Sequence, residues 1–389
     1  MTEAMKPYVD QLQSRSLILG IAGLAATGAG FAVNSEMVLR SYLLAFMLWG
    51  GVAIGCLGLL MLHHMVGGGW GVAIRRLLEA GTRTFPLVFL LFLPIAIGAH
   101  SLYEWTHADV VAKDPILQHK ALYLNTTGFY IRAVVYFAIW MFLSARLNAL
   151  SKRQETEGYW PVRPSLQRLS APGLILHALA VTFAGVDWVM SLEPHWFSTI
   201  YGAIFIVNQA LSCFAIMIFV ICFLSTKEPM KGVVKTQTYH DLGSLLFAFN
   251  MLWAYVSFSQ LIIIWSANLP EEIVYYIKRL RGGWEYIGLA VFLFHFVVVF
   301  FLLLNRPVKR NPSLLGKVAL WVLAMRVLDL VWVIMPAFSH GMENGVPSAH
   351  FELSALWISF AAAVGLGGIW MYVFAMQLKK RSLEPLTLE

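Results

Sequence analysis

Charge is what this chain has least of. Asp, Glu, Lys and Arg make up 13% of its 389 residues, about half the share of a soluble globular domain. That excludes a water-facing surface over most of the chain. The net charge of +7 does not point to nucleic acid, because the basic residues are sorted by loop, which is a topology signal. Cysteine is also scarce. Cys56, Cys213 and Cys222 sit singly in apolar runs, with no CxxC and no CxxCH, which excludes a cysteine metal site and covalent haem and leaves the three as small buried hydrophobes. Period-2 alternation is missing, which excludes a membrane β-barrel. The first 15 residues are polar, and the apolar run at 16–33 is too long for a signal peptide and continues without a cleavage site, so it reads as a first span.

What is abundant is apolar: 59% hydrophobic residues, a mean hydropathy of +0.70 and 14 Trp. Ten segments reach the ~20 helical residues that cross a ~30 Å hydrocarbon core. They lie near 16–33, 41–66, 85–104, 124–146, 172–192, 198–225, 241–267, 284–304, 314–337 and 352–378. The expected fold is an all-α integral membrane protein of ten transmembrane helices, with spans 3–6 and 7–10 as two four-helix bundles and two peripheral helices. The corresponding divisions are an N-terminal tail at 1–15, peripheral spans at 16–80, a first bundle at 81–230 and a second bundle with its C-terminal tail at 231–389.

Most of the 28 Lys and Arg fall in one alternate set of connections, which includes Arg75, Arg76 and Arg83, the 147–171 stretch and Lys379, Lys380 and Arg381. The positive-inside bias places those loops and both termini in the cytoplasm. The stretch 147–171, with Pro161 and Pro164 inside it and Pro172 directly after it, reads as the longest polar loop. The stretch 268–283 reads as a short external helix lying on the membrane or under a partner.

Span five ends Gly-Val-Asp-Trp-Val-Met-Ser-Leu-Glu-Pro at 185–194, with Asp187 and Glu193 around Trp188. An acid just inside a membrane helix is a functional-site hypothesis. Residues 329–336, Asp-Leu-Val-Trp-Val-Ile-Met-Pro, echo it. His100…Trp105 likewise matches Gln260…Trp265, and Gly128 and Arg146 match Gly288 and Arg306 at the same offset. Spans 3–6 and 7–10 therefore read as two parallel repeats.

Asp187 has no basic neighbour on its own helix, so Arg132, at similar depth on span four, is its expected partner. Arg326 and Asp329 are spaced to pair on one helix face, either as a self-neutralising pair or as a gated proton site. The expected outer half-path for protons is Asp329, Arg326, Asp187, Arg132, Glu104 and His100. The cytoplasmic half-path is His177, His240 and Asp241, with His295 nearer the middle. His100, Asp187, Trp188 and Gln260 form an alternative set, walling a quinone headgroup. The histidines lie at unmatched depths, which argues against bis-His haem. His63 and His64 fall at a helix end, where a cation suits the dipole. No catalytic or metal-ligating residue stands out.

The run Gly-Val-Asp-Trp-Val-Met-Ser-Leu-Glu-Pro-His-Trp-Phe-Ser-Thr-Ile-Tyr-Gly, residues 185–202, resembles the ActF branch of the membrane-anchor family that includes NrfD and the polysulfide reductase anchor. The number and length of the spans extend the resemblance over nearly the whole chain. It implies a subunit of alternative complex III, a bacterial quinol:electron-acceptor oxidoreductase, supplying a proton path or a quinone-facing surface. The implied partners are a sister NrfD-like subunit, an iron–sulfur subunit, multihaem and monohaem cytochrome c subunits, and a soluble cytochrome or terminal oxidase as acceptor. Haem c and iron–sulfur clusters would lie in those partners. This chain would ligate no redox metal, and menaquinone or another quinone is the cofactor that would approach it. The alternatives are the quinol-oxidising subunit itself, a structural anchor that docks partners through 268–283 and 338–351, and a secondary transporter. The transporter is disfavoured because span seven lacks the proline of a broken half-span.

Overall fold

The structure, a computed structural model, describes residues 5–228, 230–339, 341–343 and 346–381. The apolar runs fold into long helices, which satisfy their own backbone groups in lipid. In chain order these are α1 (Lys6–Ala29), α2 (Ser35–Val66), α3 (Gly69–Thr82), α4 (Phe85–Ile97), α5 (Thr126–Glu157), α6 (Tyr159–Trp188), α7 (Tyr201–Ser225), α8 (Thr236–Ala267), α9 (Pro270–Arg279), α10 (Trp284–Leu304), α11 (Pro312–Ile334) and α12 (Leu353–Leu378). A short antiparallel ribbon pairs Gly341–Glu343 with Val346–Ser348. Among the described residues, nine helices are long and apolar enough to cross a membrane, and α3 with α4 forms a further pair bent by 48°. The chain is an all-α, multi-pass membrane protein.

The helices depart from the sequence expectations in four places. The 147–171 stretch is not a loop: α5 runs to Glu157 and α6 starts at Tyr159. Gly158, at φ +85°, reverses the chain in a single residue, a conformation that glycine adopts without steric cost. Pro161 falls among the first N–H groups, which have no intrahelical acceptor, and packing carries α6 past Pro164 and Pro172. The connection before span three is likewise helical, because Arg75, Arg76 and Glu79 pair at i+3 and i+4 along α3. Span three itself is shorter than expected. Pro94 removes a backbone donor and α4 ends at Ile97, followed by short turns through Lys120.

The fourth departure is α2, which is not peripheral. Its apolar window is 94% buried, against 28% for α1. It packs among α3, α6, α7 and α12. Hydropathy cannot separate a lipid-facing helix from a protein-facing one when both are apolar all round. On the outside, α1 lies along α12, where Gly20 and Gly23 meet Gly365 and Gly368. A Cβ at Gly23 would sit 2.4 Å from the Gly365 nitrogen, so small residues set this approach.

One end of the bundle, here called the basic end, gathers His63, His64, Arg75, Arg76 and Arg381. The opposite, acidic end carries Asp187 and Glu193. The helix expected within 268–283 is α9. Glu271 and Glu272 in its first turn and Lys278 and Arg279 in its last match the helix dipole. Tyr275, Tyr276 and Arg279 are buried, so α9 is tucked into the acidic end.

Candidate functional site

Asp187, in the last turn of α6, is wholly buried. Its partner comes from α5. Asn125 caps α5 by accepting from the Gly128 N–H at 2.7 Å, which fixes where the helix begins and so the height of Arg132. Arg132 then donates to both Asp187 oxygens, Nε to Oδ2 and Nη2 to Oδ1, each at 2.9 Å. The Tyr136 hydroxyl donates to Oδ2 at 2.7 Å. Arg132 also donates to the Tyr123 carbonyl at 2.9 Å and stands 4.0 Å over the Tyr123 ring. A two-pronged, charge-assisted pair of this kind offsets much of the cost of burying the acid. Trp188 is a core residue. Its ring packs on Phe92 at 5.0 Å and Phe46 at 5.5 Å, and its carbonyl accepts from Tyr103 at 3.0 Å.

Glu193, just beyond α6, accepts from Arg279 Nη2 at 2.7 Å. Arg279 also donates to the carbonyls of Tyr275 at 2.8 Å and Val333 at 2.6 Å, and lies 3.4 Å over the Tyr275 ring. Burial works against its charge, but the Glu193 carboxylate together with Tyr275 and Tyr201 raises the Arg279 pKa above its ordinary value. Tyr275 in turn stacks on Trp196 at 4.1 Å. The α6–α7 connection, α9 and the end of α11 are thus locked together by a cation that the sequence presents only as a loop charge.

A third site lies inside the bundle. Arg326 and Asp329 pair along α11, and Arg326 Nε points to Ser212 Oγ of α7 at 3.4 Å. Beside them is a cavity of about 10 Å³ lined in part by Met47, Gly51, Asn208, Gln209, Ser212 and Arg326, room for about one water. Asn250 of α8 and His295 of α10 are also wholly buried. His295 sits in a π-helical turn, Val291–Val297, with its ring 4.2 Å from Trp253. Such turns recur at functional sites. Among the described residues, nothing pairs with Asn208 Oδ1, Gln209 Oε1, either amide atom of Asn250 or either ring nitrogen of His295. An unpaired buried polar atom costs about 1–3 kcal/mol. Buried groups of this kind are ordinarily satisfied by ordered water or a bound group.

The other expected site residues are dispersed. His100 is exposed; its ring lies on His107 at 3.9 Å and meets Thr106 Oγ1 at 3.2 Å. Glu104 is half-buried in the turn that follows. Gln260 is buried, accepting from Ser198 Oγ at 3.1 Å and lying 3.3 Å from the Tyr276 hydroxyl. Among the described residues, no hydrogen bond or ring contact joins His100 or Gln260 to Asp187 or Trp188. His240 and Asp241 meet each other at 3.7 Å near the start of α8, and Asp241 accepts from Gln237 at 2.7 Å. His177 lies elsewhere, buried on α6 with Nε2 2.8 Å from where a Cβ on Gly58 would be.

Two further groupings escape a sequence reading. At the basic end Glu79 is wholly buried and bound by Arg75 at 3.0 Å, Arg76 at 2.9 Å, Arg381 at 3.1 Å and Ser151 at 2.5 Å. This joins α3, α5 and the end of α12. The only sequence signal is the Arg-Arg-x-x-Glu spacing of Arg75, Arg76 and Glu79. Inside the bundle, Cys56 of α2 and Cys213 of α7 bring their sulfurs to 3.4 Å as free thiols. Among the described residues no group of three or more His, Cys, Asp or Glu is arranged to hold a metal ion. No protein-family model and no curated protein matches this chain.

Proposed function

We propose that the chain is an integral membrane subunit of a quinol-oxidising respiratory complex of the alternative complex III type, contributing a transmembrane proton path and no redox metal of its own. The 185–202 run supports the family reading. The observation that carries the proton role is a pair of buried acids, Asp187 and Asp329, each ion-paired inside a membrane helix. Their clamps differ: Arg132 reaches Asp187 from another helix, whereas Arg326 shares a helix with Asp329. A movement between α5 and α6 would free Asp187. Each charge crossing 100 mV is worth about 2.3 kcal/mol, which modest changes in such pairing can match.

In this reading α3 and α4 make one broken crossing, giving ten spans, with spans 3–6 and 7–10 as the two repeats. The basic end faces the cytoplasm, and the end that carries Asp187 and Glu193 lies on the outer side, toward the iron–sulfur and cytochrome c partners. The test is purification of the native complex followed by haem staining. Covalent haem in copurifying chains, and none in this one, supports the reading. Purification without haem-bearing partners overturns it.

A further inference from the structure

Arg326 and Asp329 stand three residues apart on α11. Side chains at that spacing share a helix face, so no shift of α11 against its neighbours separates them. For Asp329 to exchange a proton, the pair must open by a turn of the Arg326 side chain. A guanidinium has N–H donors and no acceptor, so it can leave the carboxylate only for other acceptors. The wall of α7 supplies them. Asn208, Gln209 and Ser212 line the small cavity together with Arg326, and all three are more than nine-tenths buried. Among the described residues, Asn208 Oδ1 and Gln209 Oε1 have no hydrogen-bond partner. The Ser212 hydroxyl gives its own hydrogen to the Asn208 carbonyl at 2.8 Å, so it meets Arg326 as an acceptor. Its 3.4 Å separation from Arg326 Nε is long beside the ~2.7–3.2 Å of an N–H···O bond and has room to close. Gly51 of α2 makes way for Gln209, whose side chain lies 3.3 Å from a Cβ built there. The cavity, about 10 Å³, takes one water-sized group, and an amino group of the guanidinium is of that size.

We propose that Arg326 has two seats: on Asp329 while that acid is ionised, and in the Asn208–Gln209–Ser212 cavity once it is protonated. The incoming proton binds a carboxylate oxygen of Asp329 and ends the charge pairing. Arg326 keeps its own proton throughout and turns one amino group toward the two amide oxygens, displacing whatever water the cavity holds. When Asp329 gives up its proton, the restored charge draws Arg326 back. The inference rests on the proton-carrying reading of Asp329 for its role and adds what releases the acid. The other groups facing the pair are Trp253 of α8, His295 of α10 and Tyr275 of α9. None of these is an acid and none lines the cavity, so the α7 oxygens are the second seat. Asp187 needs no such seat, because its arginine is held on a different helix.

Two measurements on the native membrane complex test this. The first is infrared difference spectroscopy on a pH change, following the C=O stretch of protonated Asp329, which is assigned by its loss in Asp329→Asn. Asn208→Leu with Gln209→Met keeps the side-chain volumes and removes both amide oxygens. Protonated Asp329 then leaves Arg326 short of acceptors, so the titration should move to lower pH by about one unit, a tenfold weaker hold on the proton. Gln209→Met alone, the smaller change, should move it part of the way. Amides that merely solvate the ion pair would give no shift or a shift to higher pH, and either result would overturn the proposal. So would an Asp329 band that does not titrate in the unmodified protein. The second measurement is the proton-to-electron ratio of the double variant, which should fall while quinol oxidation continues. A shifted band with an unchanged ratio would uphold the second seat and overturn the proton role of Asp329 on which the inference rests. A purified assembly without haem would overturn the respiratory reading, and the infrared titration would still decide the seat.

Discussion

Arg132 grips Asp187 across two helices through two parallel N–H···O bonds, with Tyr136 adding a third at 2.7 Å. The acid is fully buried, while the side chain of the base keeps 21% of its surface exposed. The two partners therefore carry unequal risk. Removing Arg132 strands a buried charge, whereas removing Asp187 leaves a cation that can still reach polar surroundings.

Arg132→Leu is therefore expected to destabilise the detergent-solubilised protein by about 3 kcal/mol, the lower part of the range for breaking a buried pair. Asp187→Asn should cost less. The double variant should be milder than the sum of the two. Thermal melting of all three against the unmodified protein checks this; strictly additive losses would show that the pair is not coupled.

Cys56 and Cys213, on α2 and α7, are close enough for a membrane-permeant oxidant to link. Titration with a small maleimide under denaturing conditions should find three free thiols before oxidation and one after it, that of Cys222. Cys213→Ser should abolish the link. This reports directly on the central position of α2.

Replacing Gly23 by Leu should separate α1 from α12, because the built Cβ already falls inside the contact distance of the Gly365 backbone. Overpacking of this kind costs about 1–3 kcal/mol. Hydrogen exchange should rise in α1 and the facing turn of α12, while α2 stays protected.

The expected pairing of Asp187 with Arg132 needed only depth matching along two apolar runs, and a long apolar run marks a span by itself. Other features needed contacts between distant segments. Arg75 and Arg76 read as loop charges, and the buried Glu79 that they share with Ser151 of α5 and Arg381 beyond α12 is seen only in the fold. Pro161, Pro164 and Pro172 imply a loop, yet α6 continues past all three. His63 and His64 read as a helix end and do lie in the last turn of α2, but their burial is not legible in the sequence. Nothing in the sequence says that Cys56 meets Cys213, because apolar stretches do not record which neighbour they face.

The acidic end should show a local pH response outside the membrane helices. His195 Nε2 lies 2.5 Å from Asp114 Oδ2, and this hydrogen bond, with help from backbone N–H groups, lowers the Asp114 pKa. A depressed carboxylate pKa contributes stability that is present at neutral pH and lost as pH falls through the folded value. Hydrogen exchange in 108–120, corrected for its intrinsic pH dependence, should rise on acidification below the ordinary carboxylate range. His195→Ala should show the faster exchange already at neutral pH.

The central claim is that the two buried acids carry protons. The most direct measurement is the proton-to-electron ratio of the reconstituted native complex bearing Asp187→Asn or Asp329→Asn. The account predicts a reduced ratio with quinol oxidation largely retained. An unchanged ratio in both variants would contradict it and leave Asp187 and Asp329 as structural ion pairs.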